Sequence, residues 1–149
     1  MTEGKKKVLI VSYSLGGNTQ AAAEAVAEGC RKSGAEVILK DGLKADANDL
    51  VSCDGIAVGT PDYFSYMAGG LKDFFDRTFY PTQGKVTGKP YVAFVTHGGG
   101  GKAIASVESV CGSFKFTKAA EPVLVKNRPG KKDIQDLQEL GGKLVSSIG

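Results

Sequence analysis

The segment Val8 to Thr19, Val-Leu-Ile-Val-Ser-Tyr-Ser-Leu-Gly-Gly-Asn-Thr, constrains the fold more than any other part of the chain. Its first half is an unbroken apolar run with the β-branched content of a strand buried on both faces, as strands of parallel sheets are. Its second half is small, polar and glycine-bearing, and it leads directly into the alanine-rich segment Gln20 to Lys32. A tight turn therefore delivers the chain to a helix N-terminus. Unpaired backbone N–H groups and the positive end of the helix dipole converge there, and Ser14, Asn18 and Thr19 add side-chain donors. A phosphate-bearing ligand is the expectation.

The rest of the chain supports a doubly wound α/β architecture. Ala22, Val26 and Cys30 share one stripe of the first helix, which Ser33-Gly34 terminates. Glu36 to Lys40 is a short strand with polar ends, suited to a sheet edge. Asp41 to Asp49 is polar and reads as a loop with a helical turn. Asp54 to Gly59 is a third, buried strand, and Pro61 is expected to end it, leaving Thr60 to Met67 as a loop. Leu71, Phe74 and Phe75 mark a helix from about Gly69 to Thr78, and Gln83 to Lys89 is a connection. Tyr91 to Val95 is a fourth strand, followed by Thr96-His97 and the glycines Gly98 to Gly101. Ala103, Ile104, Val107, Val110 and Cys111 give the next helix, and a fifth strand lies near Pro122 to Val125. Ile134, Leu137, Leu140, Leu144 and Ile148 face the core from a closing helix that Asp133 caps. Parallel strands need right-handed crossovers, so five strands in the order 2-1-3-4-5 with helices on both faces are predicted.

Composition narrows the class. At 149 residues with 42% apolar residues, the chain has enough material for one self-sufficient core, a single domain spanning 1–149. Cys30, Cys53 and Cys111 are odd in number and never form Cys-x-x-Cys, which argues against disulfides or a bound metal. The net charge of +3 is mild, and basic residues are not interleaved with aromatics, so no nucleic-acid surface is expected. No apolar run suits a membrane helix, and Met1 to Lys7 is a charged leader without the apolar stretch of a signal peptide. A cytoplasmic protein without membrane contact is predicted.

In such a sheet, ligands bind beyond the carboxyl ends of the strands where the strand order reverses. The order 2-1-3-4-5 puts Ser14 to Thr19, Thr60 to Met67 and Thr96 to Gly101 on one rim. That rim combines a phosphate nest, aromatic walls from Tyr63 and Phe64, and a glycine run whose N–H groups can approach a flat polar ring. Flavin mononucleotide, FMN, has these requirements.

Ser14-Leu-Gly-Gly-Asn-Thr19 resembles the phosphate loop of the flavodoxins. Thr60-Pro-Asp-Tyr-Phe64, the helix ending Phe74-Phe75-Asp76-Arg77-Thr78, and Thr96 to Gly101 are similar to the FMN-binding NAD(P)H:quinone oxidoreductases related to tryptophan-repressor-binding protein. The resemblance implies a flavodoxin-like fold with one noncovalent FMN. Carried over by position, Ser14, Leu15, Gly16, Gly17, Asn18 and Thr19 would hold the phosphate. Thr60, Pro61, Asp62, Tyr63, Phe64 and Ser65 would line the flavin edge and face. Thr96, His97, Gly98, Gly99, Gly100 and Gly101 would contact the pyrimidine side and ribityl chain. Where relatives place a glycine beside the flavin N5, this chain has Ser65, preceded by Phe64, and its positive charge departs from the acidic surface typical of flavodoxins.

Rival chemistries fail on particular residues. A serine-hydrolase elbow at Ser12 to Gly16 would take His97 to Gly100 as its oxyanion motif, which leaves no later histidine to act as base and puts that motif after the nucleophile, where the lipases place it before. A phosphoacceptor domain needs a carboxylate where Thr60 stands, and a Gly-x-Gly-x-x-Gly dinucleotide loop is absent after the first strand. Two roles remain. One is an electron carrier serving redox partner proteins; the other is an enzyme passing hydride from NAD(P)H to a quinone or similar small acceptor. Either is compatible with a monomer or a homo-oligomer, and no residue is assigned as catalytic.

Overall fold

A computed structural model describes residues 4–149; of the charged leader, Met1 to Glu3 lie outside the described residues. Strand β1 (Lys7–Ser12) feeds helix α1 (Asn18–Lys32), followed by β2 (Glu36–Asp41), α2 (Ala47–Ser52) and β3 (Gly55–Tyr63). A two-residue strand β4 (Tyr66–Met67) precedes α3 (Gly69–Thr82), β5 (Pro90–His97) and α4 (Ala103–Ser113). Two short strands, β6 (Thr117–Lys118) and β7 (Val123–Lys126), and helix α5 (Lys131–Ser146) complete the chain.

The sheet runs β2-β1-β3-β5, with β6 and β7 both pairing in parallel with β5 at its outer edge. This is the doubly wound flavodoxin-like architecture, with the fifth strand broken in two. Four residues, 119–122, separate β6 from β7, whereas only Val92 and Ala93 separate their partners on β5. The surplus has to bulge, and Pro122, which has no N–H to give a ladder, falls within it.

Alternation along the buried strands builds two cores. Val8 and Ile10 of β1 pack with α1 and α5, while Leu9 and Val11 pack on the opposite face with α2, α3 and α4. Helices α1 and α5 approach closely through glycine: a Cβ on Gly29 would lie 2.0 Å from the Gln138 carbonyl oxygen, and one on Gly141 2.3 Å from that of Val26. On the other face, Arg77 donates to the carbonyls of Ala45 and Gly42 at 2.9 and 2.6 Å, bracing the connection after β2.

Pro61 does not end the third strand. Strand β3 continues through it to Tyr63, and Pro61 stays in register with Thr96. The reason is directional. The Gly59 carbonyl accepts from Tyr13 N–H on the β1 side, and Pro61, two residues on, faces the same way. The β1 ladder has already stopped at Ser12–Gly59, so no partner exists for the N–H that proline lacks. The remaining differences are at element ends. Helix α3 runs on to Thr82, and β5 absorbs Thr96 and His97. At α5, Asp133 is not the cap but supports it: its carboxylate accepts from the N–H of the capping Gly130 at 2.8 Å.

Among the described residues no helix is long and apolar enough to cross a membrane.

Candidate functional site

A cavity of about 250 Å³ opens at the carboxyl ends of the central strands. It is lined by the loop after β1 (Ser14, Leu15, Gly16, Asn18, Thr19), the end of β3 (Pro61, Asp62, Tyr63), the end of β5 (Thr96, His97, Gly98), and Asn127.

The first wall is a helix terminus left open. Gly17 occupies the N-cap of α1 with φ +98°, a backbone conformation in which a Cβ is penalised, and no side chain caps the helix. Asn18, which by residue type suits the cap, is instead the first helical residue, so its side chain is released toward the cavity. Ser14 shapes the turn by accepting from Gly17 N–H at 3.0 Å. Thr19 is buried, and its hydroxyl pairs with that of Thr96 at 2.7 Å, tying the helix to β5 across the cavity floor. The loop is anchored from behind by Tyr13, whose ring lies where a Cβ on Gly70 would come within 2.0 Å.

The second wall is a hairpin. Strands β3 and β4 pair antiparallel through Asp62–Met67 and Tyr63–Tyr66, leaving Phe64 and Ser65 as a two-residue turn with φ of +60° and +62°. Two consecutive positive φ values define the turn that matches strand twist, a position where Asn-Gly is preferred. Asp62 holds it in place. One carboxylate oxygen accepts from Ser65 N–H at 2.9 Å, and the other accepts from Ala103 N–H at 3.2 Å, in the first turn of α4. Met67 N–H, donating to Ser106 Oγ at 3.0 Å, adds a second tie to α4. Burial, reinforced by the neighbouring Tyr13, raises the Tyr63 phenol above its ordinary value and keeps it a donor.

The third wall is the end of β5. Thr96 and His97 are strand residues in register with Val125 and Lys126. The imidazole Nδ1 of His97 is buried and has no hydrogen-bond partner among the described residues. Such an atom is costly to leave unpaired.

The cavity brings together eleven of the residues expected from the sequence and leaves out seven. Thr60 is fully buried beneath it; its hydroxyl donates to the Pro61 carbonyl and accepts from Ala68 N–H, closing the base of the hairpin. Phe64 is not a wall, because the turn projects its ring wholly into solvent, and Ser65 shares that exposed tip. Gly17 sits behind the loop as the helix cap. Gly99 and Gly100 extend outward, and Gly101 is buried against Leu124 and His97. Asn127 was missed. It follows β7, takes φ +62°, and donates its N–H to the His97 carbonyl at 2.8 Å. The signal was present, since Lys-Asn-Arg-Pro is a turn at the same end of the sheet as the other three loops.

Beneath these walls the three cysteines are buried and unpaired. Burial pushes the thiols of Cys30 and Cys53 up to about 11 and raises that of Cys111 further. No cluster of three metal-ligating side chains occurs among the described residues.

A parallel doubly wound sheet with an uncapped helix terminus and aromatic and histidine walls at its switch point defines a flavodoxin-like nucleotide-holding protein. The model of the NADPH-dependent FMN reductase family matches residues 38–123, and the chain belongs to that flavodoxin-like, FMN-binding family. It is 39% identical over 102 residues to a flavodoxin of Aquifex aeolicus (strain VF5), covering 66% of this chain and 55% of that relative's length. The chain thus spans about half of this curated relative. Among solved structures, a flavodoxin from the domain Archaea matches with TM-score 0.87 and 26% identity, covering 95% of this chain and 98% of that one. The Streptococcus pneumonia TIGR4 flavodoxin matches in fold with TM-score 0.85 at 24% identity, over 95% and 99% of the two chains.

Proposed function

We propose that the chain binds one FMN in this cavity and carries electrons between protein partners, in the manner of a flavodoxin. The observation that supports this most is the open N-terminus of α1, where backbone N–H groups, Ser14 and Asn18 surround space that no protein acceptor fills. A phosphate monoester satisfies all of them at once, and charge-assisted bonds from a preformed nest are the strong kind. Asn18 and the Leu15 and Gly16 backbone hold the phosphate; Thr19, braced by Thr96, keeps the helix at a fixed distance from β5. Tyr63 and Pro61 wall one side of the ring system. His97 and Asn127 would supply polar contacts on the other. FMN supplies the redox chemistry, accepting and releasing electrons one or two at a time. The protein's part is to orient the ring and keep the polar groups paired. All of these residues lie in one flavodoxin-like domain, 1–149. The free, buried thiols suit a reducing compartment, in keeping with a cytoplasmic protein.

The family description favours a second reading, an FMN-dependent NAD(P)H:acceptor oxidoreductase. Stopped-flow mixing of the FMN-loaded protein with NADPH or NADH separates the two. The carrier is indifferent to both nucleotides on the timescale of seconds, whereas rapid bleaching of the flavin absorbance by either one establishes the enzyme.

A further inference from the structure

Around the cavity mouth stand apolar side chains that the fold does not use. Leu15 is 72% exposed, Phe64 102%, and Tyr66 and Leu124 44% each. Leu15 lies on the loop after β1, Phe64 and Tyr66 on the β3–β4 hairpin and Leu124 on β7, so the exposure is spread over three elements and is not the property of one segment. Phe64 is the extreme case. It keeps a positive φ that penalises a residue with a Cβ, in a turn that asparagine or glycine would satisfy, and its ring touches water on every side. Neither feature benefits the isolated chain, and strain retained at an exposed tip points to a contact made with something else.

The cavity lining carries one charged side chain, Asp62, and three cations stand around it. Lys126 and Arg128 flank Asn127 of the cavity wall, and Lys102 caps α4 next to Gly101 and the Asp62–Ala103 bond. All three are exposed, and none forms an ion pair among the described residues. Asp62 accepts from Ser65 and Ala103 N–H, which holds its carboxylate in place without cancelling its charge, so three cations face one carboxylate and the balance is positive. An apolar ring flanked by free cations is the complement of an acidic protein face with an apolar centre.

We propose that this rim is the docking surface for an acidic redox protein, with Phe64 as the apolar anchor and Lys102, Lys126 and Arg128 as the steering charges. The inference rests on the carrier reading and gives it a partner class. The spread of apolar side chains around the whole mouth favours a protein over a nucleotide, which would need the cations alone.

The test is stopped-flow association of the FMN-loaded protein with two probes, a plant-type ferredoxin, which is acidic, and mitochondrial cytochrome c, which is basic. Ionic strength is set at about 0.01 M and about 1 M, where the Debye length is about 30 and about 3 Å. The wild type associates with ferredoxin, and the triple variant K102Q/K126Q/R128Q does so at least about tenfold more slowly at low salt, a difference that disappears at high salt. Phe64→Asn weakens the complex by about tenfold or more at either salt concentration while raising the melting temperature, because asparagine accepts the turn. Loss of stability along with binding in Phe64→Asn would reduce the ring to a structural role and overturn the inference. So would preference for cytochrome c, equal rates for the triple variant, or tight binding of 2′,5′-ADP that the triple variant loses, which assigns the cations to a nucleotide. FMN uptake, read by fluorescence quenching in every preparation, separates the two layers. A wild type that takes up no FMN removes the carrier reading itself, and one that takes up FMN but ignores ferredoxin removes only the docking surface.

Discussion

The loop after β1 and the hairpin after β3 face each other across one cavity, yet they are stabilised in opposite ways. The hairpin completes its own polar accounts: Asp62 accepts from Ser65 and Ala103, Thr60 closes the base, and Met67 reaches Ser106. The loop after β1 does not. Apart from the Gly17–Ser14 bond it delivers an uncapped helix terminus to open space. A segment that satisfies itself can be rigid without a ligand, whereas one that leaves donors exposed is shaped for what fills it. The difference assigns recognition to the β1 loop and positioning to the hairpin.

Substitutions on the two sides test that division. The largest effect is expected at Asn18. Asn18→Ala weakens FMN binding by about 1 to 3 kcal/mol, the range for a hydrogen bond to a charged group, as followed by flavin fluorescence titration. Asp62→Ala should act on the fold, lowering stability in urea denaturation by about 1 to 2 kcal/mol through loss of the ties to Ser65 and the start of α4. If Asp62→Ala left stability unchanged, the hairpin would not be self-supporting and the comparison would break. A smaller change of opposite sign is expected from Ser65→Gly, a gain of up to about 1 kcal/mol from relief of φ +62°, visible as a higher melting temperature. The smallest effect is a control on the frame that both regions share. With the Cys30 and Cys53 thiols held protonated up to about 11, none of the three cysteines reacts with a mild thiol reagent at neutral pH unless the chain unfolds.

The same contrast explains what could be read from the sequence. The β1 strand, its loop and α1 were legible because each rule points one way there: an apolar run, glycines, then a helical stripe. The carboxyl-end rule then collected most of the cavity from separate loops. The hairpin was hidden for two reasons. Pro61 carries the signature of a strand end, and only the direction of its missing N–H, past the end of β1, makes it harmless. Phe64-Ser65 also lacks the Asn-Gly signature of the turn it forms, so Phe64 read as a wall when it is an exposed tip. Asn127 and the broken outer strand depend on the register along β5, which no local pattern encodes.

The most direct measurement is the affinity of the same protein for FMN and for riboflavin, which differ only in the phosphate, by quenching of flavin fluorescence. If the open terminus of α1 is the recognition element, FMN binds at least about 100-fold more tightly, as two or more charge-assisted hydrogen bonds of about 1.5 to 3 kcal/mol each require. Equal affinity for the two flavins would contradict the account.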